Sequence, residues 1–370
     1  MEKFIVTNFA YGTGPFVMTT KLAAAFNDEL EKAGQPRMGI IVPWVYGDKQ
    51  KKITAEEFSD HEERHPGELI LDQKLGDIVG KIFYGNSDFE TFLKKWTALF
   101  KEVSREAHAY LLQKYGSAIA IELSRSPRLL YAVAPAYSTT FGHMSQIFNK
   151  SDGIAKIAIA PDVLKKAEEI SKCIEKEQLI NAVSYPGVFS YDNAYQAVYK
   201  NEILVPPIGP MPKADEREIQ PGIFITKTGI PGLERLYSQV KDLGLVIYSN
   251  EEYSPELITN KNILLHFARS GWASVWRSLL TEKPIITPEY DSGDDPEIYF
   301  NNQAIEKLGI GIVYRGEPLK KILEKAERAK EVCKQIKNEI LDRWGTLDGT
   351  QYCAKIFAKE FLKDSAASFK

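Results

Sequence analysis

Apolar positions along the chain fall into short runs and longer stripes at helical spacing. The first run, Phe4 to Phe9, reads as a buried strand. It passes through Tyr11-Gly12-Thr13-Gly14-Pro15 into a stripe carrying Leu22, Ala23, Phe26 and Leu30, a helix that Gly34 ends. Met38 to Val42 form the next strand, so the chain opens as strand, loop, helix, strand. A short apolar element follows at Asp77 to Tyr84, then a long amphipathic helix from Asp88 to Tyr115 whose stripe includes Phe92, Trp96, Leu99 and Val103. Ser117 to Glu122 reads as a strand, and Pro161 to Lys176 as a helix. Between them lies a less regular stretch rich in hydroxyls and aromatics, including Tyr137, Ser138, Thr139, Thr140 and Phe141. After a Tyr185-Pro-Gly turn, residues 187–205 hold another strand and turn.

The stretch from Pro206 to Gly222 is rich in proline and charge and lacks apolar periodicity, which marks it as a domain boundary. Beyond it the alternation resumes. Strands are expected at Gly222 to Lys227, Gly244 to Tyr248 and Asn262 to Leu265, with a helix beginning near Pro231. A charged helix spans Glu317 to Arg343, and a last amphipathic helix spans Thr350 to Leu362. The pattern predicts an α/β protein with two doubly wound parallel-sheet domains. These are residues 1–205 and 222–349, joined by a linker at 206–221 and followed by a terminal helix in 350–370.

Composition narrows the function classes. The 370 residues are 44% hydrophobic and 26% charged with a net charge of −3, so bulk electrostatics gives no reason to expect nucleic acid. No apolar run reaches membrane-spanning length, and no signal peptide is evident. The three cysteines are odd in number and form no CxxC pair, which argues against a disulfide framework or a zinc site and fits a cytoplasmic protein. His61 and His65 lie four apart, a spacing that can chelate a metal from one helix face. With no third ligand nearby in sequence, a solvated surface segment is the expected role of residues 48–65.

The stretch from Ile263 to Tyr314 carries the most chemistry. An apolar run ends in a Ser270-Gly271 turn that opens a helix, which exposes unpaired backbone N–H groups at a positive helix end. That arrangement suits a phosphate, and Arg269 beside it adds a bidentate cation. Trp272, Ser274, a short helix, Lys283-Pro284, a strand to Pro288, an acidic loop (Asp291, Asp294, Asp295, Glu297), Asn301 and Gly309-Ile-Gly311 follow in order. Earlier, Gly12-Thr13-Gly14 is either a ligand-cradling loop or a tight turn, and Lys227-Thr228 either faces a diphosphate or solvent.

This order resembles the nucleotide-sugar-binding segment of GT-B glycosyltransferases, especially the UDP-glycosyltransferase superfamily and its MurG-like relatives. The resemblance implies the GT-B fold, two Rossmann-like domains facing a cleft, with the terminal helix crossing back to the first. It implies an enzyme that moves a sugar from a nucleotide-diphosphate sugar to an acceptor hydroxyl with inversion, needing no cofactor and no metal. Arg269 falls where the family has histidine, while Ser270, Gly271, Trp272 and Ser274 match in kind. Arg277 falls where a carboxylate commonly holds the ribose, and is expected to pair with a phosphate or with an acid such as Glu289. Glu297 lies nearest the family's sugar-reading aspartate, ahead of Asn301. The family's usual general base falls on Pro15, which cannot accept a proton, so His143 is the substitute candidate. The acceptor is a sugar, a lipid-linked sugar or a small molecule, and peripheral membrane association is compatible with it. A non-catalytic nucleotide-sugar-binding protein and a nucleotide-sugar epimerase are the alternatives.

Overall fold

A computed structural model of the chain describes residues 3–7, 13–116, 118–124, 136–191, 196–209, 211–227 and 233–367. The chain divides into two compact units. The first comprises residues 1–184, 196–208 and 349–370, and the second residues 185–195 and 209–348.

The first unit holds a seven-stranded sheet. Its strands are β1 (Phe4–Thr7), β2 (Gly39–Pro43), β3 (Leu69–Asp72), β4 (Ala118–Ser124), β5 (Ala136–Thr140), β6 (Ile180–Ser184) and β7 (Glu202–Val205), in the order β3-β2-β1-β4-β5-β6-β7. Every neighbouring pair is parallel. The helices are α1 (Thr13–Lys32), α2 (Gly47–Glu57), α3 (Ser59–Arg64), α4 (Gln73–Phe83), α5 (Phe89–Tyr115), α6 (Met144–Ser151) and α7 (Pro161–Glu177). Local signals set their ends. Asp72 and Asp88 cap α4 and α5 by accepting hydrogen bonds from Leu75 N and Thr91 N.

Several elements depart from the sequence expectation. Thr13 and Gly14 lie in the first turn of α1 rather than in a loop, because a proline at position 15 is compatible with a helix's first turn. Ala136–Thr140 is a fully buried strand, although it lacks an apolar run. Its hydroxyls are satisfied internally: Ser138 Oγ donates to Asn181 Oδ1 at 2.7 Å, and Thr140 Oγ1 to Gly142 O at 2.6 Å. Tyr137 stacks on Phe357 with ring centroids 5.1 Å apart. Strands β3 and β6 and helix α6 were likewise not expected. Residues 48–65 form α2 and α3 and are anchored rather than merely solvated. Gln50 is buried and bonds Val45 N, Tyr46 N and Pro43 O. His61, 7% exposed, sits 3.2 Å from Glu68.

The second unit holds five parallel strands: β8 (Gly222–Ile225), β9 (Val246–Ser249), β10 (Ile263–Phe267), β11 (Ile285–Pro288) and β12 (Gly311–Tyr314). Their order is β12-β11-β10-β8-β9. The helices α8 (Leu233–Asp242), α9 (Trp272–Thr281), α10 (Pro296–Leu308) and α11 (Leu319–Trp344) connect them or follow. Alternation along the strands divides the core. Ile223, Ile225, Leu265, Phe267, Ile286 and Ile312 pack with Leu236, Val240, Leu319 and Ile322, while Phe224, Tyr248, Leu257 and Ile263 form a second cluster.

Residues 185–195 group with this unit, not with the first domain as expected. Aromatic contacts account for it: Phe189 meets Phe300 edge-on at 5.4 Å, and Lys307 lies over the Tyr191 ring. The final helix, α12 (Gly349–Ala367), groups with the first unit, where Phe361 meets Phe26 at 5.8 Å. Among the described residues, no helix is long and apolar enough to cross a membrane.

Candidate active site at the carboxyl edge of the second sheet

In an open parallel sheet, ligands bind outside the carboxyl ends of the strands, where the strand order reverses. In the second sheet that point falls between β8 and β10, since the chain places β9 on one side of β8 and β10 on the other. Ile225 and Phe267 are in register, so Lys227 and Arg269, each two residues further on, leave the sheet side by side in sequence register. In the first sheet the reversal lies between β1 and β4. The segments after those strands, 8–12 and 125–135, lie outside the described residues, as do Gly12 and the side chain of Thr13. Thr228 also lies outside them.

Helix α9 opens directly on the switch point. Gly271 is its N-cap and offers no side-chain cap, and the first turn contains no acidic residue. A positive helix end is thus left without a covalent counter-charge. The helix is fixed from behind by Trp272, Val275, Trp276 and Leu279, all buried. Truncating a buried tryptophan such as Trp276 to alanine costs about 3–5 kcal/mol, so this anchorage is firm. Ser274 N donates to Gly271 O at 2.8 Å, which places Ser274 in the first turn.

Ser270 is fully buried. Its carbonyl accepts from Asn301 Nδ2 at 2.8 Å, and the same amide donates to Glu297 Oε1 at 3.0 Å. Ser270 Oγ, Asn301 Oδ1 and Thr287 Oγ1 are buried and have no protein hydrogen-bond partner. An unmade bond at a buried polar atom costs about 1–3 kcal/mol, and such a cost is commonly retained where a ligand is to be met. Asp295 caps α10 by accepting from Glu297 N at 2.9 Å, which holds Glu297 in the first turn of that helix.

The cations at this edge have acidic neighbours. Arg269 Nη2 bonds Asp294 Oδ1, and Lys227 Nζ lies 2.7 Å from Glu251 Oε2. The hydrogen bond that Lys227 Nζ donates to Glu251 holds its ammonium above its ordinary range. Glu289 faces Arg315 Nε at 3.4 Å, and the charge of Arg277 is felt at Glu256 and His266. Burial and the surrounding aspartates push the Tyr290 phenol up, and its hydroxyl donates to Asp294 O at 3.0 Å.

Sequence reasoning missed His266. It is fully buried in β10, with Nε2 2.8 Å from Thr226 Oγ1 and Nδ1 2.6 Å from Ser278 Oγ. Burial, helped by the charge of Arg277, lowers its pKa to about 3, so the ring is neutral. It ties the end of β8 to α9, the two elements that frame the switch point. The one visible signal was a histidine inside an apolar run.

His143 does not stand on an open face. It is 2% exposed, with Nε2 2.9 Å from Glu202 Oε1 and Nδ1 3.8 Å from Glu175 Oε1. Glu175 also accepts from Ser145 Oγ and, at 2.8 Å, from Tyr199 OH. The imidazole is enclosed by carboxylates supplied from α7 and β7. The other histidine feature, His65, converges with Asp28 and Glu31. Arg37 already joins those two carboxylates, at 2.7 and 3.1 Å.

No protein-family model matches the chain, and no curated protein matches it by sequence. Solved structures do match in fold. A UDP-glucosyltransferase from Polygonum tinctorium is 12% identical with a TM-score of 0.59, over 97% of this chain and 98% of that one. The glycosyltransferase SnogD from Streptomyces nogalater is 13% identical with a TM-score of 0.57, over 97% and 99%. Phytolacca americana UGT2, solved with UDP-2fluoro-glucose and pterostilbene, is 9% identical with a TM-score of 0.61, over 97% and 99%. The chain therefore has the GT-B fold of the UDP-glycosyltransferases, with two parallel-sheet α/β domains.

Proposed function

We propose that the chain is a GT-B glycosyltransferase that moves a sugar from a nucleotide-diphosphate sugar to an acceptor hydroxyl. The observation that carries this reading is the uncapped N-terminus of α9 at the switch point of the second sheet, flanked by Arg269 and the buried Ser270 hydroxyl. The structural neighbours are glycosyltransferases, one of them bound to a UDP-sugar, which supports the same reading.

In the proposed reaction the acceptor hydroxyl oxygen attacks the anomeric carbon as the bond to the diphosphate oxygen breaks, and the hydroxyl proton passes to solvent water or to the departing diphosphate. Charge grows on the leaving diphosphate. Backbone N–H groups of the α9 turn, its macrodipole and the Arg269 guanidinium stabilise that charge, with Lys227 near the same edge. These groups do the leaving-group work without a metal. Glu297 and Asn301 are proposed to read the donor sugar, Glu297 accepting hydrogen bonds from its hydroxyls. We further propose inversion at the anomeric carbon, an acceptor that is a sugar, a lipid-linked sugar or a small molecule, and a cytoplasmic location.

Incubation with UDP-, GDP- and dTDP-sugars and a panel of such acceptors, in the presence of EDTA, tests the reading. It predicts free nucleoside diphosphate and an acceptor heavier by one sugar. A second reading, a non-catalytic nucleotide-sugar-binding protein, is favoured by two positions: Pro15 cannot serve as a base, and His143 is enclosed. Nucleotide binding without release from any donor over prolonged incubation would select that reading.

A further inference from the structure

The most strongly placed cation of the donor site is already held by an acid of the same unit. Arg269 Nη2 bonds Asp294 Oδ1, while Arg269 Nε is buried with no protein partner. The two side chains are 31% and 32% exposed, so the pair can be reached by an incoming anion. Asp294 is set in a fixed turn. Its N–H donates to Asp291 O at 2.9 Å, Gly293 N donates to Asp291 Oδ1 at 2.9 Å, and Tyr290 OH donates to Asp294 O at 3.0 Å. The turn follows β11 and leads through Asp295 into α10, whose Asn301 in turn holds the Ser270 carbonyl. The acidic loop is thereby braced against the same turn that opens α9.

We propose that Asp294 is a built-in competitor for the donor's diphosphate, holding Arg269 in the ligand-free site and yielding it to the incoming anion. The proposal rests on the donor-site reading above. Its chemistry follows from the two anions. A carboxylate offers one negative charge to a guanidinium fork, whereas a diphosphate offers more charge and also meets the N–H groups at the end of α9. The diphosphate wins the exchange, but its net affinity is reduced by the contact it must break. The same carboxylate recaptures Arg269 when the nucleoside diphosphate product leaves, so Asp294 speeds release as well as weakening binding. A half-exposed pair contributes little to stability, which makes such an exchange accessible.

Calorimetric titration of UDP, GDP and dTDP into wild type, Asp294→Asn, Arg269→Gln and the double variant tests this. Asp294→Asn is expected to bind the recognised nucleotide about threefold to tenfold more tightly, the size of a half-exposed ion pair plus one removed repulsion. In the Arg269→Gln background the same change should give a clearly smaller gain, because the contact being relieved is gone. Asp294→Ser serves as a second variant, and thermal melting confirms that each protein is folded. Unchanged or weaker binding by both Asp294 variants, or an equal gain with Arg269 removed, overturns the competitor while leaving the donor site standing. No binding of any nucleotide to either wild type or Asp294→Asn refutes the donor-site reading itself, and the competitor with it.

Discussion

Replacing His266 with phenylalanine separates the acid sensitivity of the second unit from the rest of the chain. His266 is fully buried, and its pKa is lowered to about 3 by burial first and by the charge of Arg277 second. Its hydrogen bonds do not oppose protonation, since Thr226 and Ser278 present hydroxyls that can accept as well as donate. Loss of solvation is therefore the main cause. The unfolded chain takes up this proton below pH about 6.5, while the folded chain resists until about 3. The unfolded state thus binds more protons between these values, and stability must fall as pH falls through that window. Below pH about 6.5 the folding equilibrium should weaken by up to about tenfold per pH unit, or about a hundredfold in all between pH 7.5 and 4.5. Urea denaturation at pH 7.5, 5.5 and 4.5, followed by tryptophan fluorescence, reads it. His266→Phe should be less stable than wild type at pH 7.5 by about 1–3 kcal/mol, because Ser278 Oγ loses a partner in a buried setting. Its own loss between pH 7.5 and 4.5 should be smaller than that of wild type by most of the hundredfold. Parallel slopes for the two proteins would refute the reasoning.

Three further outcomes follow from the same geometry. Gly271→Asp places a carboxylate at the open N-cap of α9 and should raise stability by up to about 1 kcal/mol while abolishing nucleotide binding, two opposite signs read by melting and calorimetry. His143→Gln removes the imidazole bonded to Glu202 Oε1 in a buried setting and should cost about 1–3 kcal/mol in denaturant, while the folded protein keeps its nucleotide affinity. Glu68 is half-buried, which works against its charge, yet hydrogen bonds from His61, Arg37 and Asn27 hold its pKa to about 2. A depressed carboxylate contributes stability above its unfolded pKa and loses it as pH falls toward the folded value. Glu68→Gln should accordingly flatten the stability profile between pH about 4.5 and 2, measured by denaturation across that range.

What could be read in the sequence was what is written locally. The strand, Ser-Gly turn and helix around Arg269 to Trp272 are encoded within a few residues, and the structure places that turn at the switch point of the second sheet. The long stripe of α5 was legible for the same reason. Strand β5 was not, because its Ser138 and Thr139 are made tolerable in a core by Asn181 and Glu122, partners from distant segments. The burial of His61 and His143 was not legible either: Glu68, Glu175 and Glu202 lie beside them, and no spacing rule brings those residues together. The pairing of Arg269 with Asp294, 25 positions away, also depends on the fold, although the acidic loop itself was visible as charge.

The central claim is that a nucleoside diphosphate binds at the N-terminus of α9. Calorimetry with UDP, GDP and dTDP in EDTA-containing buffer, on wild type and Gly271→Asp, measures it most directly. The account predicts one site per chain for at least one of the three nucleotides, without added metal, and its loss in Gly271→Asp. Failure of all three to bind wild type, or equal binding by a folded Gly271→Asp, would contradict it.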